Sequence, residues 1–242
     1  MTQLKVLLVA TSNDRIGDTI YQTGVWLEEI AAPYYIFKDA GAILMLASPK
    51  GGEVPVDPKS LSIMVATSLT KRFLKDDDAM QFLSHSKLLT DVSNDEFDII
   101  YITGGHGALW DLADNTILNQ VLDKQNNQDK PIGLVCHGVV ALLSLQNANG
   151  EPLIKDKQVT GFSNTEEASG GKAEHLPLLV ETELKLMGAL YSKNENYVEH
   201  VITDGNIITG QNPASSEGVA KKILRILNDR KYILSHLPAT SA

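Results

Sequence analysis

The chain has one cysteine in 242 residues, and that scarcity excludes a good deal. An intramolecular disulfide needs a second thiol and a zinc finger needs Cys/His pairs at short spacing, so neither is available. Basic residues are also scarce: 21 Lys and Arg against 30 Asp and Glu leave a net charge of -9 and a pI near 5.1. No Lys/Arg cluster interleaved with aromatics runs along the chain, so nucleic acid is not an expected partner. Long apolar runs are missing too. "MTQLKVLLVATSNDR" carries only about six apolar residues before polar ones, too few for a signal-peptide core or a membrane span, so a cytoplasmic location and no membrane partner are expected. There is no P-loop, dinucleotide fingerprint, HExxH or calcium loop, and hence no cofactor and no metal is expected.

What remains is an ordinary globular composition, 43% hydrophobic, able to bury a core. Short β-rich runs recur: "LKVLLVA" at 4–10, "AILMLAS" at 42–48, "FDIIYIT" at 97–103, "PIGLVC" at 131–136 and "QVTGFS" at 158–163. Runs this continuous suit strands buried on both faces, and helix-like segments separate them, so the fold expected is a doubly wound α/β sandwich with a mostly parallel sheet. The first crossover helix is expected from near Thr23 to a stop at Gly41, with a kink or break at Pro33. The stretch at about 49–96 mixes turn signals with charge and reads as an excursion of one or two helices outside the main sheet. Asp204-Gly205 between β-branched runs signals a hairpin, and the segment after Ser215 or Ser216 reads as the final amphipathic helix. With no repeat or linker, one domain over 1–242 is expected.

Two segments carry candidate chemistry. In "GLVCHG" the thiol of Cys136 ends a strand and precedes a helix-like run, the position where open α/β sheets expose ligands. The pattern is a nucleophile elbow in cysteine form, and a helix amino terminus beyond it favours the thiolate. Free cysteine is also among the most buried residue types, so an inert space-filling role fits the position as well. His137 beside it is able to take the thiol proton. In "YITGGHGALWDL" three glycines surround His106 and leave N–H groups able to face an anionic oxygen. His106 and Trp110 are candidate pocket residues. Two acidic pairs, Glu28/Glu29 and Glu166/Glu167, read either as solvated carboxylates or as site residues; adjacent positions on a helix face roughly 100° apart.

Together "TGVWLEEIAAPYYIFKDAG", "LASPKGG", "YITGGHGALWDL", "GLVCHG", "VTGFSNTEE" and "ITGQNPASS" resemble the DJ-1/PfpI (ThiJ/PfpI) superfamily, in its heat-shock-protein-31-like branch of chaperones and glyoxalases. The resemblance runs from about Leu4 to Leu227. It implies a flavodoxin-like sandwich with helices on both faces and Cys136 as the elbow nucleophile, with His137 beside it. It also implies Glu29 against the thiol and Glu167 behind the histidine, each one residue from an alternative acid, an oxyanion site at the N–H groups of Gly105 and His137, and a homodimer. Relatives with glutamine amidotransferase activity carry a close His/Glu pair late in the chain; His200 is followed by "VITDG", so ammonia transfer is disfavoured. The leading expectation is a glutathione-independent glyoxalase acting on a small reactive aldehyde. A holding chaperone for unfolded protein, a deglycase of glycated protein, a peptidase using the same thiol, and oxidative sensing at Cys136 are the competing readings.

Overall fold

The computed structural model describes residues 3–236, so both ends of the domain expected over 1–242 lie outside the described residues. Strands β1 (Lys5–Val9), β2 (Ile43–Ser48), β3 (Lys87–Leu88), β4 (Ile99–Ile102), β5 (Ile132–Val135), β8 (Val201–Asp204) and β9 (Ile207–Gly210) form a seven-stranded sheet in the order β3-β2-β1-β4-β5-β9-β8. All neighbours are parallel except the β8–β9 hairpin, which turns at Gly205-Asn206. Strands β6 (Gln158–Val159) and β7 (Leu190–Tyr191) pair in a separate two-stranded sheet.

Side chains alternate between two buried faces. Leu7, Ile100, Ile102 and Leu134 join one core with Leu118 and Leu122 of a helix over Thr116–Asn127. Val6, Leu8, Tyr101 and Val135 join the other, with Ile30, Tyr34 and Phe37 of a helix over Leu27–Asp39 and with Val219 and Ile223 of a helix over Ser216–His236. Burial on both faces is why these strands read as continuous apolar runs and why the sheet carries helices on each side. The α/β sandwich expected from the sequence is the one observed.

Several expectations need correction. The first helix begins at Leu27, not near Thr23, and continues through Pro33. The excursion is not wholly outside the sheet: after helices at Ser68–Phe73 and Asp77–Ser84 it supplies β3, the sheet's edge strand. "QVTGFS" contributes two residues to the small sheet and none to the main one. The run after Cys136 is a 3₁₀ helix over Cys136–Leu142.

Candidate active site

Strands β4 and β5 lie side by side, and their carboxyl ends bring Gly104–His106 next to Cys136–His137. Cys136 leaves β5 with φ of 56°, in the left-handed region that a side chain enters at a cost of about 1–2 kcal/mol. That turn sets the thiol beside His137 and the Glu29 carboxyl. It fits because residue 138 is glycine: a Cβ there would lie 2.5 Å from the Thr103 carbonyl oxygen. Gly105 is needed on the facing loop, with φ of 86° and no room for a Cβ against the Gly24 carbonyl.

The thiol is buried at 3% exposure. Sγ lies 3.2 Å from His137 Nδ1, and His137 Nε2 lies 2.8 Å from Glu167 Oε2. The second Glu167 oxygen lies 2.8 Å from His106 Nε2. The His137 ring stands between those of His106 and Phe162, with centroids 4.3 and 4.5 Å away. Burial opposes ionisation of Glu167, but the bonds from His106 and His137 outweigh it and hold the carboxyl well below the usual range. Ionised Glu167 only accepts, so both imidazoles present Nε2–H to it and His137 Nδ1 is a bare acceptor facing the thiol. Burial, then the nearby His106, keeps His137 below its ordinary value and so favours the neutral ring.

Glu29 is fully buried beside the thiol; its Oε2 accepts from the Gly104 N–H at 2.6 Å, and its Oε1 makes no hydrogen bond. Burial pushes this carboxyl up to about 8, only partly offset by the contacts with Cys136 and Gly104. Burial and the Glu29 carboxyl likewise push the Cys136 thiol up, overriding the thiolate preference expected from a helix amino terminus. Glu28 points elsewhere: its Oε2 accepts from Thr67 Oγ1 at 2.5 Å, and burial raises it to about 7. Glu166, beside Glu167, faces away from the histidines. It accepts from Ser163 N–H and Oγ, Tyr197 N–H, Gln211 Nε2 and Asn212 Nδ2 at 2.7–3.0 Å.

Above the thiol is a cavity of about 670 Å³, walled by segments as far apart as Trp26, Leu69, Phe162 and Glu217. Gly105, His106 and His137 also line it, but Trp110 does not; Trp110 packs against the hydrophobic core, a correction to its candidacy as a pocket residue. Phe162, within "VTGFSNTEE", also lines the cavity, as do Lys172 and Tyr197, which no motif announces. The ligand atoms of His106, His137 and Glu167 lie within 4.8 Å of one another, a donor set suited to a divalent ion, although binding one would displace both imidazole–carboxylate hydrogen bonds.

A model described as the DJ-1/PfpI family matches residues 20–226. The Saccharomyces cerevisiae protein named glutathione-independent glyoxalase HSP31 is 30% identical over 239 residues, covering 95% of this chain and 100% of its own. The structure of Francisella tularensis Rapid Encystment Protein 24 KDa superposes with a TM-score of 0.88 at 37% identity, over 93% of this chain and 99% of that one. Glyoxalase III from Candida albicans gives 0.83 at 28% identity, over 92% and 96%.

Proposed function

This chain belongs to the DJ-1/PfpI family, and on that footing we propose that it is a glutathione-independent glyoxalase, converting methylglyoxal or glyoxal plus water to a 2-hydroxy acid. The observation that carries this reading is the buried thiol at φ of 56° with the bare His137 Nδ1 3.2 Å away. Glutathione is unnecessary because the protein supplies the thiol.

Cys136 sulfur bonds to the aldehyde carbon while its proton passes to His137 Nδ1. The aldehyde oxygen gains the electron pair, is held by the N–H groups of Gly105 and His137, and takes the proton to give a hemithioacetal. Neutral His137 then removes the hydrogen from the former aldehyde carbon, and the electron pair passes to the neighbouring carbonyl oxygen to give an enediolate. The hydroxyl proton moves across to that oxygen and His137 returns its proton to the neighbouring carbon, yielding a 2-hydroxyacyl thioester. Water cleaves the carbon–sulfur bond, releasing the 2-hydroxy acid and restoring the thiol. Glu29 keeps its proton at neutral pH, since its pKa is raised to about 8, and its O–H donates to the sulfur whenever the sulfur is anionic. A second negative charge beside the thiolate is thereby avoided.

The same reading carries a small aldehyde as substrate, a homodimer and a cytoplasmic location; among the described residues no helix is long and apolar enough to cross a membrane. The test is lactate formation from methylglyoxal without glutathione. Wild type is expected to form lactate and Cys136→Ala none. Lactate from neither, with suppression of client aggregation surviving Cys136→Ala, would replace this reading with the holding chaperone.

A further inference from the structure

Lys172 follows the helix over Asn164–Gly170, which carries Glu167, after the left-handed cap at Gly171. Only 8% of its surface is exposed. Among the described residues no carboxylate lies within 4 Å of its amine and no hydrogen bond reaches it. The ring of Tyr21 lies nearby, its centroid 5.3 Å from Nζ. Burial, then the neighbouring Lys59, lowers its pKa, and the carboxylates of Asp57 and Glu167 offset this only in part. The amine opens onto the cavities that Lys172 lines, and its N–H donors are left to water or a ligand.

Lys172 and Lys59 both line the cavity above Cys136, and both also line an adjoining cavity of about 490 Å³. The carboxyl groups of the main cavity are already engaged. Glu29 holds its proton, Glu167 its two imidazoles, Glu166 its ring of donors, Glu28 the Thr67 hydroxyl, and Glu217 the ammonium of Lys221. Among the described residues Lys172 forms no ion pair within 4 Å with any of them. A cavity of about 670 Å³ is of a size that holds drug-like ligands, so a three-carbon aldehyde occupies only a small part of it.

We propose that Lys172, assisted by Lys59, binds an anionic group, carboxylate or phosphate, at the far end of a 2-oxoaldehyde whose carbonyl end reacts at Cys136. The inference rests on the glyoxalase reading and deepens it: the preferred substrate has a negatively charged tail. Binding leaves the covalent steps unchanged.

Three probes decide the matter: a five-carbon 2-oxoaldehyde ending in carboxylate, its phosphate-ended counterpart, and the same chain ending in methyl. Wild type is expected to favour at least one anionic probe about tenfold in kcat/KM, through KM, and the two anionic arms identify which group is read. Lys172→Met is expected to bring that ratio close to unity, and Lys59→Met, at an exposed position, to lower it partway. Equal kcat/KM for all three probes in wild type, or an undiminished ratio in Lys172→Met, overturns the proposal. Alkylation of Cys136 by iodoacetamide supplies a readout independent of turnover. Succinate or inorganic phosphate is expected to slow it in wild type and not in Lys172→Met, while butanediol does neither. Protection without turnover of any probe would sink the glyoxalase reading yet keep the anion site; turnover without protection or anion preference would do the reverse.

Discussion

Glu167 gives one oxygen to each of two imidazoles, and this fixes which nitrogen of His137 faces the thiol. Glu167→Gln breaks that arrangement, because an amide has one accepting oxygen and its NH₂ repels the second Nε2–H. Steady-state kinetics on methylglyoxal are expected to show kcat lowered roughly 10²–10⁴-fold with KM little changed. A loss confined to KM would mean that Glu167 shapes the cavity without orienting the base. At this scale "GLVCHG" made Cys136 and His137 legible, since a thiol between an apolar strand and a glycine stands where a sharp turn turns its side chain out of the sheet. The acids were legible only to within one residue. Glu28 and Glu29 begin the same helix and differ by the turn between them, which sends one to Thr67 and the other beneath the thiol. Trp110 misled because an aromatic after a glycine turn carries no information about direction, and here it faces the core.

Glu166 joins three pieces of chain that are distant in sequence: the turn at Ser163, the loop carrying Tyr197, and Gln211-Asn212 after β9. Tyr197 sits at φ of 62°, a strained position that its N–H bond to Glu166 helps hold. Glu166→Ala leaves several buried donors without an acceptor, and urea unfolding is expected to show a loss of roughly 3–5 kcal/mol. Limited proteolysis of the variant should cut first near residue 197. A stability within about 1 kcal/mol of wild type would show that water replaces the carboxylate at little cost. The central strands were readable because burial on both faces forces an unbroken apolar run. Strands β3, β6 and β7 have two residues each, too few for any periodicity, so the excursion's place at the sheet edge shows only in the parallel pairing of Ala47 with Lys87 and Ser48 with Leu88.

Over the whole molecule, the buried acids set a pH dependence of stability. In the unfolded chain Glu29 ionises near 4.5, whereas the folded protein holds its proton to about 8. Between those values the unfolded state binds fewer protons, so stability falls as pH rises, by about 1.4 kcal/mol per pH unit for one such group. Glu28, raised to about 7, acts in the same direction. Glu167 acts oppositely, but its depressed pKa confines its effect to the acid side of that window. Urea midpoints taken from roughly pH 5 to pH 9 are expected to decline in wild type and to decline less in Glu29→Gln. Parallel profiles would show that Glu29 ionises alike in both states. The walls of the cavity also set an order in time. Its thiol is at residue 136, while its last lining residue is 217, and Gln211 and Asn212 complete the support of Glu166. At the pace of a ribosome those positions emerge on the order of ten seconds apart. For that interval the nascent chain carries Cys136 without its enclosure, and only emergence of the chain beyond Glu217 closes the cavity around the thiol.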